Sequence, residues 1–299
     1  MMFSIILPTF NREKFVENAI TSVVNQDYIN WELIVIDNFS DDNTEQIIKK
    51  FNDARIKYVK FKNNGIIAQS RNYGIKISKG NYLAFLDSDD WWYKSKLSII
   101  SKFIKKKPYD FIYHNMHINY QGLFLKRKVK YTRKLHEPFL DLINFGPAFA
   151  TSSVVLNKKL FLRINLFNEG RNYLAWEDFD AWLRFAKNTN SFFYIKKFLG
   201  CTEIGNHNFS NNRIRKKNLI SFKRKYMDNK RFAKLPYWWN YSLMRIFFAE
   251  RKYNTSLKFN KFLIKNTPVS SLIKNIFFYL RNFFFLKFTK IKKYFYLSI

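Results

Sequence analysis

An uncharged strand that ends in a cluster of carboxylates constrains the fold of this chain more than any other stretch. Residues 82–86 carry no charge and are typical of a strand buried on both faces, and Asp87-Ser88-Asp89-Asp90 follows directly. Three carboxylates within four positions repel one another, and a bound divalent cation would offset that repulsion. If the strand geometry continues, Asp87 and Asp89 share a face, because side chains two apart point the same way. The alternative is a solvated acidic turn.

The cation that suits this motif is Mg²⁺ or Mn²⁺, because both prefer hard oxygen ligands. Mg²⁺ commonly takes one or two carboxylates and fills its remaining positions with waters and substrate phosphates. Asp87 and Asp89 therefore predict a phosphorylated ligand as well as a metal.

Strands and helices alternate through the first half of the chain. Each apolar run is followed by a polar loop and then by a segment whose apolar residues recur at helical spacing. The predicted strands cover residues 3–7, 32–37, 56–61 and 82–86, and the predicted helices cover residues 13–25, a segment around Ile47 and Ile48, and residues 68–78. This alternation predicts an α/β domain with a mostly parallel sheet and helices on both faces.

The carboxyl ends of the predicted strands carry polar residues, at positions 8–12, 37–40 and 87–90. Open α/β sheets bind their ligands at this edge. No G-x-G-x-x-G follows the first strand, and no Walker A sequence is present. A bound nucleotide would therefore be held by side chains and a metal instead of a glycine-rich loop.

The pattern is weaker in the second half of the chain. It predicts a helix from Lys94, strands over residues 110–114 and 152–156, a short helix over 158–164, and a helix that begins near Trp176-Glu177-Asp178. Composition changes near residue 211, where we place a domain boundary.

Charge is distributed unevenly along the 299 residues. The chain has a net charge of +31, and from Cys201 to the end 22 Lys or Arg against three acidic residues leave +19. Such a region is attracted to polyanions, which means nucleic acid or an anionic membrane surface. No run reaches the roughly 18 apolar residues that a membrane-spanning helix needs.

Cysteine and histidine usage indicates the compartment and excludes a zinc site. Cys201 is the single cysteine, which rules out an internal disulfide and predicts a small buried hydrophobe. His114 and His117 lie in or beside a predicted strand without a third ligand, so a structural role is favoured over metal binding. The N-terminus lacks the pattern of a signal peptide, and we expect a reduced, cytoplasmic environment.

Four segments together resemble a family 2 glycosyltransferase of the GT-A type, across roughly residues 1 to 210. They are Ile5-Ile6-Leu7-Pro8-Thr9-Phe10-Asn11-Arg12, residues 33–44, Ser70-Arg71-Asn72-Tyr73-Gly74 with the later Asp87-Ser88-Asp89-Asp90, and Glu177-Asp178. The resemblance implies a catalytic GT-A domain over 1–210, with a nucleotide-binding half (1–110) and an acceptor half (111–210). A basic, aromatic-rich helical region would then cover residues 211–299.

The resemblance also implies an activity and a set of site residues. The activity is inverting transfer of a sugar from a nucleotide sugar, often a UDP-sugar, to a glycan or lipid-linked acceptor in surface polysaccharide or glycolipid synthesis. Asp178 would be the general base, and Asp87 and Asp89 would hold Mg²⁺ or Mn²⁺. The residues implied for the donor site are Pro8, Thr9, Asn11, Asp37, Asn38, Arg71, Asp87 and Ser88. Glu177 also fits the general preference for negative charge at a helix N-terminus.

Two positions depart from the family pattern. Many relatives have Asp and Gly where this chain has Asn38 and Phe39, which bears on the contact with the base and the choice of nucleotide. The family often has a histidine after the base helix, and His207 is the candidate here.

The end of the chain and its charge leave alternatives open. Residues 269–299 mix Phe and Tyr with Lys and Arg, which is typical of a helix at a lipid interface, and packing against the catalytic domain is the alternative. Docking on lipid would place the enzyme at the inner face of the plasma membrane. A basic nucleic-acid-binding protein is a second hypothesis, but Asp37 and the later carboxylates argue against a nucleic acid partner. A metal-dependent nucleotidyltransferase is a third.

Overall fold

A computed structural model describes residues 1–120, 123–128, 132–204, 212–227, 235–265, 280 and 283. The chain divides into two compact units, one formed by residues Met1–Leu142 and Pro147–Asn208 and the other by Ile143–Gly146 and Phe209–Ile299. The predicted boundary near residue 211 stays a prediction. His207 and residues 269–299, apart from Leu280 and Phe283, lie outside the described residues.

The described strands all belong to one nine-stranded sheet. They are β1 (Phe3–Thr9), β2 (Trp31–Asp37), β3 (Ile56–Lys60), β4 (Tyr82–Phe85), β5 (Trp91–Trp92), β6 (Phe111–Tyr120), β7 (Leu123–Lys128), β8 (Val155–Asn157) and β9 (Phe192–Ile204).

Ten α-helices are described. They are α1 (Val16–Val24), α2 (Thr44–Lys49), α3 (Ile67–Ile77), α4 (Lys96–Lys106), α5 (Pro138–Phe145), α6 (Lys158–Arg163), α7 (Glu177–Ala186), α8 (Asn212–Phe222), α9 (Tyr237–Ala249) and α10 (Tyr253–Lys265). Short 3₁₀ turns cover Thr151–Ser153 and Arg171–Tyr173, and a π turn covers Lys223–Met227.

The strand order is β3-β2-β1-β4-β8-β6-β9-β5, with β7 paired to β6. Strands β3, β2, β1 and β4 are parallel, as is the β6–β9 pair, whereas β8 runs antiparallel to both β4 and β6. The predicted α/β fold with a helical C-terminal region is confirmed. The sheet is mixed, because β5, β7 and β8 pair antiparallel with their neighbours.

Helices cover both faces of the sheet, as the alternation predicts. Phe3, Ile5 and Leu7 of β1 belong to a core cluster that includes buried residues of α1, α2 and α4. On the opposite face, Phe85 of β4 packs against Trp182 of α7, with ring centroids 5.7 Å apart. Because successive side chains of a strand point to opposite faces, a largely apolar run such as residues 3–7 fills both layers.

Two sequence expectations differ from the structure for local reasons. The predicted strand over residues 152–156 begins with the 3₁₀ turn Thr151–Ser153, and only Val155–Asn157 is strand. Strand β9 was not expected, because Lys196 and Lys197 interrupt its apolar pattern. Its register with β6 jumps from the His114–Ile195 pair to the Asn115–Phe198 pair, so these two exposed lysines form an irregularity in the ladder.

The second unit contains α8, α9 and α10. Tryptophans of α9 anchor its N-terminal end: Trp238 Nε1 donates to the carbonyl of Ile143 at 2.8 Å, and Trp239 Nε1 donates to that of Leu219 at 2.9 Å. Ser256 Oγ of α10 donates to the carbonyl of Met244 at 2.9 Å. None of the helices in the described part of the chain combines the length and the apolar composition needed to cross a membrane.

Candidate active site

The acidic motif leaves the carboxyl end of β4 as a turn. The strand ends at Phe85, so the shared direction expected for Asp87 and Asp89 from strand geometry does not apply. The two carboxylates nevertheless affect each other: burial, and then the charge of Asp87, raises the pKa of Asp89. The Asp87 side chain is 32% exposed and is therefore open to a ligand.

Asp90 faces the protein interior. It is 5% exposed, and its Oδ1 accepts the backbone N–H of Glu203 at 3.1 Å. Burial raises the pKa of Asp90 well above its usual range, the charges of Asp89 and Asp87 add to the effect, and hydrogen bonds with Ser152 and Thr202 oppose it. This carboxyl group therefore ties the acidic turn to β9.

Arg71 joins the acidic turn to the start of α7. Its Nη2 donates to Asp87 Oδ1 at 2.7 Å, and its Nη1 donates to Glu177 Oε1 at 2.6 Å. Arg71 is 3% exposed and Glu177 is 5% exposed, and burial raises the pKa of Glu177 although Arg71 opposes that shift. Among the described residues, Arg71 Nε and Glu177 Oε2 are buried without a hydrogen-bond partner. A contact of Arg71 with the nucleotide stays a prediction.

Asp178 lies in the first turn of α7 and is partly exposed. Its Oδ2 accepts Thr151 Oγ1–H at 2.7 Å, and its Oδ1 accepts the backbone N–H of Phe179 at 2.6 Å. The helix N-terminus also favours negative charge here. Arg71 contacts both Asp87 and the residue before Asp178, so the acidic motif and the candidate base belong to one region of the first unit. Thr151 was missed, because a Thr-Ser-Ser run carries no distinctive signal.

Asp37, at the end of β2, has its hydrogen-bonding capacity used within the protein. It is fully buried, and its Oδ1 accepts the Ser40 N–H at 3.1 Å and the Ser40 Oγ–H at 2.5 Å. Its Oδ2 accepts the Tyr58 hydroxyl at 2.8 Å, and the pKa of Tyr58 is raised by burial and by this hydrogen bond. Asp37 thus shapes the loop after β2.

The end of β1 and the residues after it provide three further residues predicted for the nucleotide-sugar site, beside that loop. Asn11 has a left-handed backbone (φ 51°); its N–H donates to Ser40 Oγ at 2.9 Å, and its Oδ1 accepts the Asp41 N–H at 3.1 Å. Pro8 and Thr9 are buried in β1. Within the described part of the chain, Thr9 Oγ1 is buried without a hydrogen-bond partner, which leaves its hydroxyl for a ligand or a water.

The structure explains how the departures at Asn38 and Phe39 are accommodated. Asn38 Oδ1 accepts the backbone N–H of Asn63 at 2.8 Å and so ties the loop after β2 to the turn before α3. Phe39 has φ 57°, a conformation that glycine adopts at low cost. Its ring is 53% exposed, so this position keeps the glycine-like backbone while presenting an aromatic surface.

Side chains of α3 and α7 hold the loop that leads to Glu177. Asn72 of α3 donates from Nδ2 to the carbonyl of Phe167 at 2.8 Å and accepts the Phe167 N–H at 3.0 Å. Arg184 of α7 donates to the carbonyls of Ile164 and Leu166. This loop includes left-handed residues that are not glycine, namely Asn165, Leu166 and Ala175. Such a backbone persists only where its surroundings hold it.

The carboxylates of Asp87 and Asp89 fit a cation that takes few protein ligands. No cluster of three or more His, Cys, Asp or Glu side chains suited to a metal occurs among residues that the structure describes. Mg²⁺ needs no such cluster, because water and phosphate oxygens complete its coordination. Burial, and then the negative charge of Asp87, raises the pKa of Asp89, and a cation would offset that charge. Ser88, between them, is buried.

A buried lysine lies beside Trp92, two residues after the acidic turn. Lys96 of α4 has no exposed surface; its Nζ donates to the carbonyl of Ser152 at 2.8 Å and lies 3.5 Å from the ring centroid of Trp92. Burial lowers the pKa of Lys96 well below its usual range. His114 is also fully buried, and its pKa is lowered by burial and by the charge of Lys96, which is consistent with the structural role expected for it.

Comparison with known proteins identifies the relatives of this chain. The model of the family described as "Glycosyl transferase family 2" matches residues 4–162. The chain is 32% identical over 189 residues to the Escherichia coli protein named "UDP-Glc:alpha-D-GlcNAc-diphosphoundecaprenol beta-1,3-glucosyltransferase WfgD", covering 63% of this chain and 71% of that protein.

Two further proteins show how far the likeness extends. An uncharacterized glycosyltransferase of Rickettsia felis is 35% identical over 194 residues, covering 62% of this chain but only 30% of that longer protein. The crystal structure of S. aureus TarS 1-349 in complex with UDP-GlcNAc superposes with a TM-score of 0.59 at 18% identity, covering 94% of this chain and 81% of that chain. The likeness to TarS shows a shared fold.

Proposed function

The chain belongs to glycosyltransferase family 2, and on that premise we propose that it transfers a sugar, with inversion, from a UDP-sugar to a hydroxyl of a lipid-linked glycan. The observation that carries the proposal is the position of Arg71. Its guanidinium contacts Asp87 of the acidic turn at 2.7 Å and Glu177, the neighbour of Asp178, at 2.6 Å. Such an arrangement supports a site in which donor phosphates and an acceptor hydroxyl meet.

The proposed reaction assigns one step to Asp178. Its carboxylate takes the proton from the acceptor hydroxyl while that oxygen attacks the anomeric carbon. The bond from the anomeric carbon to the diphosphate oxygen breaks, and the nucleoside diphosphate leaves with the bonding electrons. Attack from the face opposite the leaving group inverts the anomeric configuration. The free lone pairs of a carboxylate that already accepts Thr151 and Phe179 leave room for this hydroxyl.

Asp87 and Asp89 are the proposed holders of Mg²⁺ or Mn²⁺. When bound, such a cation supplies positive charge that offsets the charge developing on the leaving diphosphate. Asp87 also keeps its contact with Arg71, which fixes the direction of its carboxylate. Residues proposed to bind the nucleoside lie at the ends of β1 and β2 and in the acidic turn: Pro8, Thr9, Asn11, Asn38 and Ser88. Asp37 is proposed to hold the loop that borders this site.

The proposed acceptor class follows from the E. coli relative, whose name specifies a GlcNAc-diphosphoundecaprenol acceptor. The direct test is to incubate the full chain with Mn²⁺, a panel of UDP-sugars and a GlcNAc-diphosphate lipid, and to measure lipid-linked disaccharide and UDP. Stoichiometric UDP and disaccharide are the expected products. Pyrophosphate release would instead indicate a nucleotidyltransferase. Tight binding of single-stranded DNA, with no UDP-sugar raising the melting temperature, would favour the nucleic acid hypothesis.

A metal-dependent stabilisation by the product is expected, and Asp89 should be required for it. At ligand concentrations about 100 times Kd, binding adds about 2.7 kcal/mol, which is a Tm increase of roughly 5–10 °C for a domain of this size. We expect UDP with Mn²⁺ to raise the Tm of the native protein by this amount and that of the Asp89→Asn variant by less than half of it. Asp27→Asn, at an exposed carboxylate, is the control. An equal shift in both variants would contradict the metal assignment.

We propose that the second unit contacts anionic lipid at the inner face of the plasma membrane. Exposed Arg213, Lys217, Ile220 and Arg224 recur at the spacing of one helical face in α8 and the π turn that follows. A lipid-linked acceptor is anchored in the membrane, so an enzyme that binds the membrane surface meets it there. Cations near an anionic bilayer contribute about 1 kcal/mol each.

The vesicle test compares two pairs of charges. Arg213→Gln/Lys217→Gln should weaken binding to phosphatidylserine vesicles roughly thirtyfold, because about 2 kcal/mol is lost. Lys102→Gln/Lys106→Gln, at exposed lysines of α4, removes the same charge from the first unit and should change binding less than threefold. Cosedimentation measures both. Equal losses would indicate that net charge alone, and not α8, determines attraction to the membrane.

A further inference from the structure

The 3₁₀ turn Thr151–Ser153 lies between the acidic motif and the candidate base. Thr151 is 7% exposed, and Ser152 and Ser153 have no exposed surface. The turn is closed by its own backbone: Ser153 N–H donates to the carbonyl of Ala150 at 2.9 Å, and Val154 N–H donates to that of Thr151 at 3.0 Å. These backbone hydrogen bonds alone define the conformation of the turn.

Ser152 fixes this turn to the acidic motif. Its Oγ accepts the backbone N–H of Asp87 at 3.0 Å, and its carbonyl oxygen accepts Trp92 Nε1–H and Lys96 Nζ–H, both at 2.8 Å. The bonds from Trp92 and Lys96 are buried, where an unmade bond is costly, and the bond from Asp87 is partly buried, so the turn is held against the residues around Asp87.

Thr151 extends from the same turn to Asp178. An ionised carboxylate can only accept, so the Thr151 hydroxyl is the donor in its 2.7 Å contact with Asp178 Oδ2. The other oxygen of Asp178 is held by the N–H of Phe179 at 2.6 Å. The two bonds together restrain rotation of the carboxylate about its Cβ–Cγ bond more tightly than the Phe179 bond alone would.

We propose that Thr151 is a positioning residue that sets the orientation of the Asp178 carboxylate relative to the acidic turn, an inference that rests on the proposed function. Two hydrogen bonds and the peptide bond between Thr151 and Ser152 connect Asp87, on the donor side, to Asp178, on the acceptor side. Misplacing a reacting group by about 1 Å costs up to 10²-fold in rate. Loss of the Thr151 hydroxyl should therefore lower kcat and spare donor binding.

The test compares three variants of one turn. Thr151→Val keeps the shape and removes the hydroxyl, Thr151→Ser keeps the hydroxyl, and Ser153→Ala removes a hydroxyl that donates at 2.6 Å to the carbonyl of Ala150, within its own turn. We expect Thr151→Val to lower kcat about 10- to 100-fold with a donor KM within about twofold of the native value. Thr151→Ser should restore most of kcat, and Ser153→Ala should behave as the native enzyme.

Two results would overturn the inference. One is a kcat for Thr151→Val equal to that of Ser153→Ala; the other is a loss of donor binding in step with kcat, which would indicate a general structural role. If valine prevents folding, Thr151→Ala is measured in its place against the same control. Asp178→Asn separates failure of this inference from failure of the proposed function. If Asp178→Asn is inactive while Thr151→Val has normal kcat, only the role of Thr151 is wrong. If Asp178→Asn is active, the assignment of Asp178 as the base is wrong.

Discussion

Replacing Asp178 with asparagine is expected to lower kcat about 10³-fold without weakening the binding of the UDP-sugar, because the amide cannot take a proton from the acceptor. The amide oxygen is still able to accept the Phe179 N–H, and the amide NH2, in the place of Oδ2, is able to donate to the Thr151 hydroxyl oxygen, so the fold around α7 should be retained. Turnover of the lipid-linked acceptor gives kcat, and calorimetry with the UDP-sugar gives Kd.

The control for this prediction is Asp27→Asn, which makes the same chemical change at an exposed carboxylate. Its kcat should lie within about twofold of the native value, since surface substitutions away from special features have small effects. Near-native turnover in Asp178→Asn would exclude Asp178 as the general base. A simultaneous loss of UDP-sugar binding would instead assign it to the donor site.

Replacing Arg71 with methionine should destabilise the protein by about 3–5 kcal/mol, because removing one partner of a buried ion pair leaves uncompensated buried charge. The substitution removes the guanidinium group that contacts Asp87 and Glu177, and Glu177 is 5% exposed. Urea denaturation monitored by tryptophan fluorescence measures the free energy of unfolding.

Two further variants make this prediction specific. Lys76→Met removes an exposed cation from the same helix, and it should change the free energy of unfolding by less than about 0.5 kcal/mol. Adding Glu177→Gln to Arg71→Met removes one of the stranded charges, so the double variant should regain part of the lost stability. If Arg71→Met lowered the free energy of unfolding by less than about 1 kcal/mol, water would have to reach these carboxylates and replace the guanidinium.

The sequence predicted the fold where structure is set locally. Uncharged runs such as residues 3–7 and 82–86 contain strands buried on both faces, because burial on both sides needs side chains that are apolar or, like Ser4, hydrogen-bonded within the protein. It failed where tertiary contacts decide: β9 has two exposed lysines in an irregular ladder, and β5 is only two residues long. Neither strand has an alternating apolar pattern that can be recognised from its own sequence.

The order of the motifs along the chain determined the family and the class of chemistry by itself, because both depend on residue types at short spacing. Which carboxylates are paired, buried or open was decided only by the tertiary structure. Asp90 and Asp89 are adjacent in sequence, yet Asp90 bonds to the backbone of Glu203. Arg71 meets Glu177 across 106 residues, and Thr151 meets Asp178 across 27. Hydrogen bonds depend on distance in space, and no local pattern encodes partners that the fold alone brings within reach.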